Sequence, residues 1–276
     1  MTEQKFLEDV VNRLRSVAGL EGIVLRNAGM RESHVPDSGT TMIIYYDSHS
    51  GMDVHDILKT ATTVDTMQGK LSLSSVGEWS PWVSDGVAIT VQQRTAKLLL
   101  RDVCKLSETI DECSQGIVKI DYQIGYAHCF SPVMYMGEIS LGDILWDRNG
   151  KLAELKERTK AYPAALKQTM IERFLWEASY SLRAASKSAS KKDLSYTAGI
   201  CYRVVSCLHQ VLFALNESYW PDEMDTADLA GSLKIAPANY IGRVNEAFRL
   251  LNANHKQTEA ALDILRSLLD ETVLRI

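Results

Sequence analysis

An α/β domain of the α+β kind, built on a mixed sheet and followed by an all-α helical bundle, is the fold class this sequence predicts. Three observations carry it. Short apolar runs of strand length alternate with helical segments in residues 1–130. Beyond that point the apolar spacing becomes that of helices alone, so the second domain is assigned to residues 131–276. Pro163 stands at the head of a long helical pattern, where a proline is tolerated because the first-turn N–H has no partner in the helix.

Taken in order, residues 3–18 place Phe6, Val10, Leu14 and Val17 on one stripe of an amphipathic helix. "GIVLRN" (22–27) and "TMIIYYD" (41–47) are strands, and Asp53 caps a short helix, "VHDILKTA". Residues 87–100 form a hairpin around Gln92–Arg94, Arg101–Cys113 is a helix, and "GIVKIDYQ" (116–123) is a further strand. "PVMYMGEISLGDILW" is expected as one helix and Gly150–Lys160 as another. Long helices follow from Pro163 to about Lys191 and from Leu194 to Tyr219, then over 237–252 and 256–274. Short links between them predict an up-and-down bundle. "SKSASKKD" reads as a solvated helix end.

Charge and cysteine usage exclude several function classes. A net charge of -5 over 276 residues argues against strong nucleic-acid binding, which needs clustered positive charge. Five cysteines, an odd number without CxxC spacing, and six scattered histidines predict a reduced, cytoplasmic protein without a zinc site. The segment 196–215 is apolar but interrupted by Arg203, His209 and Gln210, so a buried helix is expected and no membrane association. The N-terminal segment shows no export signal.

Two stretches carry a family resemblance. "LRNAGMRESHVPDSGTTMIIYYD" (25–47) and "AKLLLRD" (96–102) are similar in order and spacing to a Gly-Ser loop, a "PDSDxDLxxYYD" segment and a later "VDLxYRD" strand. The helical stretches "YMGEISLGDILWDRNGKLAELKERTKAYPAAL" and "RFLWEASYSL" add to the likeness. The chain thereby resembles, over residues 20–250, the bacterial nucleotidyltransferase-fold proteins that join a small catalytic domain to a C-terminal helical bundle, of the kanamycin nucleotidyltransferase kind. What the resemblance implies is a site with three carboxylates, two of them at i and i+2 on one strand face, holding magnesium ions that bind a nucleoside triphosphate.

At those positions this chain has Gly39, Thr41 and Lys97, and the Gly-Ser pair is Asn27-Ala28. Two divalent cations need anionic oxygen ligands, whereas Lys97 adds a positive charge that opposes a cation by about a few kcal/mol at short range. The resemblance therefore implies a scaffold whose metal-dependent transfer chemistry has been lost, a pseudoenzyme with no expected cofactor and no metal. Its expected role is binding a nucleotide, another anionic small molecule or a protein. The candidate ligand residues are Arg26, Asn27, Ala28, Arg31, Ser38 and Lys97. Glu177 aligns with a region where some relatives keep a general base, and so is a candidate acid/base residue. The adjacent pair His128-Cys129 reads as core or loop rather than as a nucleophile pair, because chain neighbours seldom meet productively.

Two other functions remain open at this point. One is an active nucleotidyltransferase that modifies a small molecule such as an antibiotic, with Mg2+ held by Asp37, Asp47 and Glu177. The other is a structural subunit of a toxin–antitoxin-like assembly. A homodimer is also expected, because the helix from Leu194 is apolar on more than one face and must be covered.

Overall fold

The computed structural model describes residues 2–26, 40–50, 87–91, 94–122, 126–220, 226–252 and 254–276. Asn27, Ala28, Arg31, Asp37, Ser38, Gly39 and the helix expected from Asp53 lie outside the described residues. The chain divides into two compact units. The first is Met1–Glu112, Ile120–Gly125 and Ser131–Ala161, and the second is Cys113–Lys119, Tyr126–Phe130 and Tyr162–Ile276.

The first unit is built on a five-stranded mixed sheet in the order β3-β4-β2-β1-β5. Its strands are β1 (Leu20–Leu25), β2 (Thr40–Tyr46), β3 (Val87–Val91), β4 (Arg94–Asp102) and β5 (Asp143–Asp147). β2 and β4 run parallel, and the other neighbours are antiparallel. Helix α1 (Glu3–Leu14) starts at Thr2, whose hydroxyl accepts from the Lys5 amide at 3.4 Å. Its Phe6, Val10 and Leu14 form one core with Ile23, Met42, Ile44, Ala96, Leu98 and Leu100, and Val17 joins them from just beyond the helix. Each of the larger side chains (Phe, Val, Leu, Ile, Met), fully buried, contributes about 1.5–3 kcal/mol of transfer free energy.

The opposite face of the central strands is also covered. Ile43, Tyr45 and Leu99 are buried on it, which explains why β2 and β4 read as continuous apolar runs instead of alternating ones. This face holds Arg101, whose Nε and Nη2 each donate to one Glu138 oxygen at 2.8 Å. Glu138 lies on α3 (Val133–Leu141), and Tyr135 of the same helix lies under the guanidinium, 4.4 Å from ring centroid to Cζ. Burial alone would lower the pKa of Arg101, but the Glu138 carboxylate overrides it and raises the pKa, so the ion pair is permanent.

The single helix expected over 132–146 is α3 followed by β5. The break falls at Gly142, which is extended (φ -76, ψ 156). A Cβ there would stand 2.3 Å from Val24 Cγ1 and 2.7 Å from the Glu138 carbonyl oxygen. Only glycine lets the chain turn so close to β1 and then add the edge strand β5. Residues 131–161 group with the sheet unit, while 113–119 and 126–130 group with the helical one. Helix α4 (Lys151–Arg158) closes this unit, with Asp147 Oδ2 accepting from the Ala153 amide at 2.9 Å. Helix α2 (Val103–Ser114) follows β4 directly.

The strand expected over 116–123 does not form among the described residues, 116–122. Two of its carbonyls are taken by side chains instead, and only Asp121 makes an isolated backbone bridge: Thr169 Oγ1 donates to Gly116 O at 2.9 Å and Arg173 Nη1 to Val118 O at 3.1 Å. Both donors come from α5 (Ala164–Ser190), the long helix behind Pro163.

Helices make up the rest of the second unit. α5 packs along α6 (Leu194–Leu215), and α9 (His255–Val273) packs against α5, α6 and α8 (Tyr240–Leu250). A short α7 (Thr226–Ser232), which the sequence pattern did not indicate, sits between α6 and α8 in the chain. In the "SKSASKKD" segment Lys191 and Lys192 are exposed, but Ser188 is buried and shares a 2.7 Å hydrogen bond with Thr197. Among the described residues α6 is the one helix long and apolar enough to cross a membrane. Yet 72% of that window is buried inside the structure, as in a core helix. The apolar faces that suggested a dimer are thus largely covered within the chain itself.

Candidate functional site

Three sequence-predicted residues meet on the sheet. Parallel pairing sets Thr41 of β2 beside Lys97 of β4, and the Arg26 amide donates to the Thr41 carbonyl at 3.0 Å on the other side. Residues opposite one another across strands share a face. The row Arg26–Thr41–Lys97 therefore lies on one side of three adjacent strands, and Ala96, Leu98 and Leu100 point the other way into the core. Lys97 is exposed, while Arg26 and Thr41 are half-buried. The row presents two cations flanking a hydroxyl. Its donor set does not fit magnesium, which takes oxygen ligands that are mostly anionic.

A second group sits at the other end of the same two strands. Asp47 follows β2, His49 lies in the short turn Ser48–Ser50, and Cys104 opens α2 just after Asp102. Cys104 Sγ lies 3.4 Å from Asp47 Oδ1 and 3.3 Å from His49 Nδ1, which is 3.7 Å from Asp47 Oδ1. The Cys104 amide donates to Asp102 Oδ1 at 2.9 Å. Burial, then the Asp47 hydrogen bond, pushes the Cys104 thiol up to about 11, which argues against a nucleophilic thiolate. Asp47 is six residues along β2 from Thr41, about 20 Å at strand rise, so these acids cannot replace carboxylates at the Thr41 position.

Glu177 lies in the second unit on α5. One of its oxygens, Oε1, accepts from Arg203 Nε at 2.6 Å and stands 2.8 Å from His128 Nε2. His128 Nδ1 is 2.9 Å from Ser206 Oγ, and the Glu177 side chain is only 16% exposed. Burial alone would raise the pKa of Glu177, but the hydrogen bonds and charges of His128 and Arg203 bring it down to about 2. A carboxylate held so firmly as an anion is a poor proton acceptor at neutral pH. Its contacts join α5 to α6 and to the 126–130 segment. Cys129 is buried, and its Sγ lies 3.5 Å from His128 Nδ1, so these chain neighbours do meet.

The sequence pointed to Arg26, Thr41 and Lys97, and to Asp47 only as a magnesium ligand beside Asp37 and Glu177, not to its grouping with His49 and Cys104. Two signals for that group were present: Asp-x-His at the end of one apolar strand, and Asp-x-Cys at the end of another.

The family model that matches is described as a domain of unknown function (DUF4037), over residues 132–223. That span runs from α3 to just past α6 and includes Glu138, Glu177 and Arg203. No curated protein matches the chain. Among solved structures, the chain is similar to a nucleotidyltransferase-like protein from Exiguobacterium sibiricum 255-15, with 12% identity and a TM-score of 0.47, covering 99% of this chain and 77% of that one.

Proposed function

We propose that this chain keeps the scaffold of a nucleotidyltransferase while using the former metal position to hold an anion directly, without magnesium and without nucleotidyl transfer. The observation that carries the reading is the row Arg26–Thr41–Lys97. The residues aligned with the second and third metal-binding acids stand side by side on neighbouring strands, as the resemblance requires of them, yet they are a hydroxyl and an ammonium. Metal ions in such a site would neutralise a triphosphate. Here Lys97 supplies a fixed point charge for phosphate, and Arg26 adds a second cation on the same face. The anion in view is the phosphate chain of a nucleotide or a similar small phosphorylated molecule.

Calorimetric titration of ATP into wild type and two variants tests this. Lys97→Met should weaken binding about threefold to tenfold, and Lys97→Glu about tenfold to thirtyfold more, because attraction becomes repulsion across a partly solvated gap. Raising salt should weaken the wild-type complex, since Lys97 is exposed. Equal affinities for wild type and Lys97→Glu would refute the reading. So would magnesium-dependent pyrophosphate release that copurifies with the protein.

A further inference from the structure

We propose that Asp47, His49 and Cys104 form a binding site for a zinc-type transition-metal ion. The three donor atoms are Oδ1, Nδ1 and Sγ, separated by 3.4 Å (S to O), 3.3 Å (S to N) and 3.7 Å (N to O). An ion bound tetrahedrally, at about 2.0–2.2 Å from N and O and 2.3 Å from S, has ligand–ligand edges of about 3.3–3.7 Å. The triangle already has the dimensions of one face of that tetrahedron. Thiolate and imidazole donors select zinc, cobalt or copper over magnesium and calcium.

The donors are held in place before any ion arrives. The His49 amide donates to Asp47 Oδ1 at 2.8 Å and Ser50 Oγ to the Asp47 carbonyl at 2.7 Å, which fixes the turn. Cys104 is fixed by the hydrogen bond that its backbone N–H donates to Asp102 Oδ1, and the Asp102 carboxylate also adds negative charge near the position of a cation. The parallel register does the rest, because Tyr46 pairs with Asp102 and the two ligand segments leave the sheet together. On binding, the Cys104 thiol releases its proton to solvent, and three ligands leave a fourth coordination position open. The His49 side chain is 79% exposed, so ions reach the site from solvent.

Two competing assignments fail on geometry. In a Cys–His–Asp relay the thiol and the carboxylate contact opposite ring nitrogens, whereas here both face Nδ1. The other mixed group, His128, Glu177 and Cys207, also lies within metal-ligand range. Its 2.8 Å His128–Glu177 separation is that of a shared proton, shorter than a tetrahedral edge, and Arg203 occupies the same oxygen.

The test uses the full chain, stripped with a chelator and titrated with cobalt(II) alone. We expect one equivalent bound, with the intense thiolate-to-cobalt charge-transfer band and the strong visible absorption of tetrahedral cobalt, and displacement by zinc. Cys104→Ser should remove the charge-transfer band, and His49→Gln should weaken binding at least tenfold. Circular dichroism of both variants should match wild type, since His49 is a surface residue and Cys104 only half-buried. Absence of stoichiometric cobalt uptake by folded wild type overturns the proposal. So does a charge-transfer band that survives Cys104→Ser, which would assign the thiolate to another cysteine.

Discussion

Replacing Glu138 with alanine should destabilise the first unit by about 3–5 kcal/mol, because it leaves the Arg101 guanidinium buried without its counter-charge. The side chains are 10% and 6% exposed, and both hydrogen bonds between them are 2.8 Å long. Arg101 cannot escape by neutralising, since its pKa is raised rather than lowered in this setting. Its remaining contacts, the Leu100 carbonyl at 3.0 Å and the Tyr135 ring at 4.4 Å, do not replace a carboxylate. A domain of ordinary stability holds only about 5–15 kcal/mol in total. Urea unfolding followed by tryptophan fluorescence, with Trp146 reporting from β5, should show the midpoint falling by about 1.5–2.5 M at a slope near 2 kcal/mol/M. The double variant Arg101→Met, Glu138→Leu separates pairing from packing, because an apolar replacement of similar volume is often neutral or stabilising. A cost under about 1 kcal/mol for Glu138→Ala would refute this account. Equal damage in the double variant would show that the loss comes from packing rather than from an uncompensated charge.

Two further outcomes follow from single residues. Gly142→Ala should destabilise or displace β5, since the added methyl meets Val24 at 2.3 Å and backbone oxygens at 2.7 and 3.0 Å; a melting temperature within 1 °C of wild type would contradict the tight turn described for it. His209 is buried in α6 and its pKa is pushed down by burial to about 3, so the unfolded chain binds the extra proton between pH 6.5 and 3. Stability should therefore fall on acidification from pH 6.5, by up to about 1.4 kcal/mol per pH unit. His209→Leu should flatten that slope between pH 6.5 and 5, above the range of most carboxyl titrations, and an unchanged slope would refute the assignment.

Elements with a strong local cause were legible in the sequence. α1 has its Thr2 cap and a single apolar stripe, and α5 begins behind Pro163, so neither needs tertiary context to be recognised. β5 was hidden because its apolar residues continue those of α3 without a gap, and what separates them is the close approach of Gly142 to β1. The 116–122 segment has an alternating pattern, but side chains of α5 take the Gly116 and Val118 carbonyls in place of a neighbouring strand. The row at Thr41 and Lys97 was legible because strand alternation and a family resemblance both point to those positions. The Asp47–His49–Cys104 group was not, because the contact between His49 and Cys104 spans 55 positions and depends on the β2–β4 register.

The proposed function stands or falls with Lys97 serving as a fixed cation in place of metal ions at the sheet face. The most direct measurement is a pair of ATP titrations on wild-type protein at constant ionic strength, one with excess chelator and one with millimolar magnesium. Binding is expected in chelator, and equal or weaker binding with magnesium, because the metal competes with Lys97 for the phosphate oxygens. Binding seen only when magnesium is present would contradict it.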